Sequence, residues 1–238
     1  MATSENLNRL AAAFTVRDIM VSTGELVCAT VAADAPLVSK TYSDFSIIPI
    51  KTGSKLSAYF NRDTTLVTPI EIHDLISDGT TLLDLIEVLE HHEFAFILGP
   101  RQIDGYIHFS DLNHDLVKLV FYVLLQGVER TALHLVKPRL NDEFLEAALG
   151  APRFAQIQYA YRRAGDAGQS PINYLNIADM LRLARRAGKL EIDDDAIKAV
   201  KDVRDGAAHV SENLVSDYDD VKRLAEVKRQ SFRILHSS

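Results

Sequence analysis

The sequence predicts an α+β chain, with a duplicated βαββα module in the N-terminal half followed by an all-α helical bundle. Three observations predict it. Cap, strand, turn and strand recur in the same order twice and end on aspartates 48 positions apart, Asp63 and Asp111. From about residue 112 onward, apolar residues recur at the helical period. Short Gly- and Pro-bearing links separate the later segments, as in a bundle of antiparallel helices.

The elements follow in order. Residues 1–14 carry Glu5 and Arg9 without a long apolar core, so they are read as an extension and not as a signal peptide. The first copy spans 15–66. Asp34-Ala35-Pro36-Leu37 opens its helix, since an aspartate oxygen can accept from free backbone donors there. Ser46–Ile50 is its first apolar strand, Lys51-Thr52-Gly53-Ser54 its turn and Leu56–Phe60 its second strand. The second copy spans 67–118. Asp78-Gly79-Thr80-Thr81-Leu82 opens its helix, Phe94–Leu98 and Ile103–Phe109 are its strands, and Gly99-Pro100-Arg101 is the turn between them.

The bundle spans 119–238, its long first helix starting at Leu112. Leu116, Leu119, Val120, Val123, Leu124, Val128 and Leu135 repeat at 3.6 residues until Pro138 closes the segment. Further helices are expected at 142–149, 153–163, 173–186, 194–209 and 217–234. Gly165, Gly168 and Pro171 mark one connection and Gly188 another. Asp193-Asp194-Asp195 places caps and negative charge at a helix N-terminus, where the macrodipole favours them.

Composition narrows the function classes. The 238 residues are 47% hydrophobic and 25% charged, the balance of an ordinary globular protein. A net charge of −7 argues against non-specific coating of nucleic acid, so any RNA contact needs a local basic patch. Arg153, Arg162, Arg163, Arg182, Arg185, Arg186 and Lys189 supply one candidate, equally readable as a solvated helix face. Cys28 is the only cysteine, which leaves no intramolecular disulfide and no zinc knuckle. The Leu119–Leu125 run is shorter than the roughly 20 residues a membrane span needs, so a cytoplasmic location without a membrane partner is expected. His73, His91, His92, His108 and His114 lack the spacing of a helix-borne metal site, so no metal is expected.

Several stretches of the first half resemble the CBS-domain family. Thr15-Val16-Arg17-Asp18-Ile19-Met20 is similar to its lead-in, Ser46–Ile50 to its strand with a buried proline, and Gly105-Tyr106-Ile107-His108-Phe109-Ser110-Asp111-Leu112 to its closing Gly-x-x-Thr-x-Ser-Asp motif. The resemblance covers residues 15–118. Two departures stand out: His108 replaces the threonine, and in the first copy Ser57 and Phe60 replace the glycine and threonine. The resemblance implies a tandem pair that binds an adenosine nucleotide (AMP, ADP or ATP) as a regulatory ligand between its copies. Ile47, Ile48 and Ile50 would then sandwich adenine, Asp63 and Asp111 would accept from ribose at helix starts, and Arg62, His108 and Ser110 would meet phosphate or ribose. The same residues also fit a purely structural role as core and caps.

In the second half, Arg204-Asp205-Gly206-Ala207-Ala208-His209 pairs a permanent, forked cation with a group that titrates near neutrality. With the helix count, this pattern resembles the HEPN superfamily and its Arg-polar-x-x-x-His motif, over residues 112–236. Glu129 resembles an acidic residue often found on the first long helix of such bundles. The resemblance implies a homodimer and metal-independent RNA cleavage. His209 would transfer protons, Arg204 would stabilise charge on the phosphorane, and Asp205 would orient the pair. Two functions follow as expectations: a nucleotide-sensing regulator whose bundle is a ribonuclease, or a non-enzymatic sensor or scaffold whose bundle dimerises or docks a partner such as a toxin. A transferase reading lacks a glycine-rich phosphate loop.

Overall fold

The computed structural model describes residues 13–43, 45–164, 170–209 and 211–237. Most of the N-terminal extension (residues 1–12) and Gly165 and Gly168 of the expected connection fall outside them. The described residues up to His114 form one compact unit and those from Asp115 another.

The first unit holds two sheets. β2 (Ile47–Thr52), β3 (Lys55–Asn61) and β4 (Leu66–Pro69) form an antiparallel sheet in that order. β1 (Val21–Ser22), β7 (Ile103–His108), β6 (Phe94–Leu98) and β5 (Leu75–Ser77) form the other in the order β1-β7-β6-β5, with β5 and β6 parallel. The two copies interleave. β1, just after the first lead-in, pairs with β7 of the second copy, Thr15 bridges Thr81, and Val16 N–H donates to Thr80 C=O. The apolar, β-branched run of β2 suits a buried strand, and Gly53, at φ 64°, closes its turn to β3.

Two helices belong to this unit, α1 (Ala35–Thr41) and α2 (Leu82–Leu89). Neither is capped by the aspartate that the sequence suggests. Asp34 makes no side-chain cap bond. At α2 the cap is Thr81, whose hydroxyl oxygen accepts from Asp84 N–H at 3.1 Å, while Asp78 pairs with Arg17. The first copy also lacks a closing helix. After β3, the Asn61 side-chain oxygen accepts from the N–H groups of Asp63 and Thr64, Thr65 takes φ 57°, and the chain returns as β4. Thr64-Thr65-Leu66-Val67-Thr68 is rich in β-branched residues, and this side-chain turn competes locally with a helix start.

The second unit is helical. Its helices are α3 (Asp115–Val136), α4 (Asp142–Leu149), α5 (Ala151–Ala164), α6 (Ile177–Arg186), α7 (Asp194–Ala208) and α8 (Asp219–Leu235). α3 packs against α6, α7 and α8. Val117, Val120, Phe121, Leu124, Leu125, Val128 and Ala132 are buried along it. By length and composition the segment Asp115–Arg139 is apolar enough to cross a membrane, a longer apolar stretch than the Leu119–Leu125 run suggests. Its packing against three helices is that of a bundle's central helix. Caps set the helix starts: Asn141 for α4, Asn176 with Asp179 for α6, and Asp193 for α7. α3 starts at Asp115 and not at Leu112. Residues Phe109–Asn113 form a 3-10 turn and His114 is extended at ψ 142°, so no unbroken helix leads away from Asp111.

Candidate functional site

A cleft of about 420 Å³ opens in the first unit, within the size range of small-molecule sites. Val21, Glu25, Leu26 and Val27 line it from β1 and the segment after it. Phe45, Ser46, Ile47 and Pro49 contribute from the start of β2, and Tyr106, His108, Ser110 and Asp111 from the end of β7. β1 lies beside β7 through the pairs Val21↔Tyr106 and Ser22↔Gly105, and a bridge between Ala29 and Ile50 ties the segment after β1 to β2. Gly105 permits that approach. A Cβ there would lie 2.6 Å from the Met20 sulfur and 2.9 Å from the Val21 carbonyl oxygen.

His108, Ser110 and Asp111 form one hydrogen-bonded turn. Asp111 Oδ2 accepts from His108 N–H at 2.8 Å. His108 Nδ1 accepts from Ser110 N–H at 3.3 Å and lies 2.9 Å from the Ser110 hydroxyl. An Nδ1 that accepts a backbone N–H carries no proton, so the neutral ring holds its proton on Nε2. Burial pushes the His108 pKa down, in keeping with a neutral imidazole. Burial also pushes the Asp111 carboxyl up, against the opposing pull of the His108 N–H and the His114 charge. The hydroxyl of half-buried Tyr106 is pushed above its ordinary value by burial, with the Asp111 and Glu93 carboxylates adding to the effect.

Of the residues expected at a ligand, Ile47, His108, Ser110 and Asp111 line this cleft. Ile48 and Ile50 do not. A strand alternates its faces, so Ile47 and Pro49 turn to the cleft while Ile48 and Ile50 enter a core with Ala29, Ala35 and Phe60. Arg62 is also displaced from its expected role. Its guanidinium donates to Ser43 C=O, and it lines neither cleft. Asp63 sits in the β3–β4 turn, not at a helix start, and lines a second cleft. Glu25, Leu26, Phe45 and Tyr106 escaped the sequence reading. Alternation from His108 back through Tyr106 was the one signal that could have placed any of them.

The second cleft, about 460 Å³, is lined by Ser46, Ile47, Tyr59, Asn61, Asp63, His73, Asp74, His91, His92, Glu93 and Phe94. It shares Ser46 and Ile47 with the first. Tyr59, Phe94, Phe96 and Tyr106 pack as an aromatic cluster with ring centroids 5.1–5.9 Å apart, and its members Tyr106 on one side and Tyr59 and Phe94 on the other face the two clefts. Among the described residues, no three His, Cys, Asp or Glu side chains group closely enough to hold a metal ion.

In the bundle, Arg204 on α7 reaches Glu129 on α3, with Nε donating to Oε1 at 3.2 Å across 75 positions of sequence. Its guanidinium lies 5.9 Å from the Tyr122 ring centroid and 3.7 Å from Asp205. Asp205 accepts from Lys201 Nζ at 2.7 Å. His209 leaves α7 at its C-cap, at φ −113° and ψ 115°, with an exposed side chain. Arg204, Asp205 and Glu129 therefore meet, and two carboxylates offset the arginine's charge. The basic patch is thinner than the sequence suggests. Arg153 forms an ion pair with buried Asp179 at 2.6 Å, and Arg182 and Arg185 lie 3.9 and 3.0 Å from Asp194.

No family model matches the chain, and no curated protein matches it. Solved structures with some likeness include the CBS domain of a bacterial CNNM/CorC-family Mg2+ transporter in complex with ATP, at a TM-score of 0.38 and 12% identity, covering 48% of this chain and 96% of that one. The same domain with the inhibitor IGN95a gives 0.36 and 13%, covering 49% and 83%. A further structure of that domain gives 0.36 and 12%, covering 49% and 82%. Ligand and activity of this chain therefore rest on its own residues.

Proposed function

We propose that the first unit is a regulatory sensor for an adenosine-containing ligand, held in the cleft between β1, β2 and β7. The observation that carries this reading is the convergence on one cavity of three segments far apart in sequence: β1 with the residues after it, the motif strand with Pro49, and the motif turn His108–Asp111. Apolar Val21, Val27, Ile47 and Pro49 suit a flat base. Asp111, with Oδ2 bound to His108 N–H, presents a carboxylate suited to ribose hydroxyls. His108 Nε2–H adds a neutral donor. The test is thermal stabilisation of the full chain by a panel of adenosine, guanosine and cytidine compounds. Adenosine compounds alone should raise the melting temperature, by mass action on the folded state. Equal response to all bases, or none to any, would refute the reading.

A second reading, RNA cleavage by the bundle, is favoured by one observation: Glu129 and Arg204, paired by resemblance alone, hydrogen-bond to each other. His209 would act as proton carrier at an exposed helix end. The compensated charge on Arg204 weighs towards a structural role for the motif, and a non-enzymatic scaffold is the competing outcome. Incubation of mixed RNA with wild type and His209→Ala, in chelator, separates them. Cutting lost in the variant supports the nuclease, and no cutting by either supports the scaffold.

A further inference from the structure

We propose that the first cleft takes the uncharged nucleoside, adenosine, and discriminates against its 5′-phosphates. The inference rests on the sensor reading above and narrows the ligand to one chemical class. Phosphate recognition draws on cations as well as free backbone N–H groups, and among the described residues no cationic side chain lines the cleft. No lysine or arginine lines it; its charged lining residues are Glu25 and Asp111.

Two N–H groups of the turn that would cradle a phosphate are already bonded. Phe109 N–H donates to Glu93 C=O at 2.9 Å, and Ser110 N–H donates to His108 Nδ1. At the position where the resembled motif has threonine, the imidazole consumes a backbone donor and returns a single neutral Nε2–H. A dianionic phosphate in this cavity would face two carboxylates and no cation among the lining side chains. A neutral ribose loses nothing by the same arrangement, because carboxylates accept from its hydroxyls.

The test is calorimetric titration of the full chain with adenosine, AMP and ATP at low ionic strength, for wild type and Glu25→Gln. Adenosine should bind, with AMP about tenfold or more weaker and ATP weaker still. Glu25→Gln should narrow the adenosine-to-AMP ratio by a few-fold. AMP or ATP binding as tightly as adenosine overturns this inference and leaves the sensor reading standing. Absence of binding by all three overturns the sensor reading and the inference with it.

Discussion

Gly105→Ala puts the interleaved architecture under the most direct mechanical load. A Cβ at this position would sit 2.9 Å from the Val21 carbonyl oxygen and 2.6 Å from the Met20 sulfur, against ordinary contacts of 3.4 Å and above. The methionine end can move, but the backbone oxygen belongs to β1, held to β7 through Ser22↔Gly105. Relief therefore requires β1 to shift by several tenths of an ångström. Overpacking of this kind costs about 1–3 kcal/mol, and the reduced freedom of the unfolded chain returns about 0.4–1 kcal/mol. A net loss of about 1–2 kcal/mol in a unit of roughly 100 residues lowers its melting temperature by about 5–15 °C. Because Val21 also lines the cleft, ligand binding should weaken along with stability. Differential scanning calorimetry with and without adenosine reads both effects. An unchanged or raised melting temperature would refute the claim that β1 and β7 approach this closely.

Other expectations follow from the same geometry. Gly206→Ala should be tolerated or stabilising by about 0.5 kcal/mol, since the new Cβ would meet the Leu214 side chain at 3.5 Å and the Asn213 carbonyl oxygen at 3.8 Å, both ordinary contacts, and chemical denaturation reads the sign. Arg153→Ala should destabilise the second unit by about 3 kcal/mol because it strands the buried Asp179 carboxylate; denaturation of Arg153→Ala with Asp179→Asn should recover part of the loss. Acidification should weaken the first unit through His108. Its folded pKa lies below the unfolded 6.5, so its contribution is present above that value and is lost as pH falls through the folded one. Melting temperatures at pH 7.5 and 5.5 should differ less in His108→Gln than in wild type. Asp111 acts in the opposite sense and closer to the carboxyl range, since its raised pKa makes the folded state prefer the protonated acid.

Much of the fold was legible in sequence where the signal is local. α4 occupies Asp142–Leu149 and β6 occupies Phe94–Leu98, the ranges read from periodicity and caps, because each has clear boundaries: Asn141 before α4, Gly150 after it, and the Gly99-Pro100 turn after β6. The first copy's end was not legible. Asp63 in Arg62-Asp63-Thr64 looks like a helix start, and only the side-chain turn at Asn61 and the pairing partner β3 make it a hairpin. Within the site, the motif turn at His108–Asp111 was readable because its bonds are local. Which of Ile47, Ile48 and Ile50 faces the cleft depends on a register set by tertiary packing. Glu25 reaches the cleft only through the pairing of β1 with a strand some 80 positions away, a non-local fact with no sequence signature. The Arg204–Glu129 contact is equally non-local, and it came within reach only through resemblance.

The central claim is that the β1–β2–β7 cleft senses an adenosine-containing ligand through Asp111. Its most direct test is the titration of the full chain with adenosine, wild type beside Asp111→Ala, with circular dichroism as a check on folding. Loss of charged hydrogen bonds to ribose should weaken binding by roughly ten- to a hundredfold in a variant that remains folded. Binding of equal strength in the two proteins, or no binding to wild type at millimolar adenosine, would contradict the account.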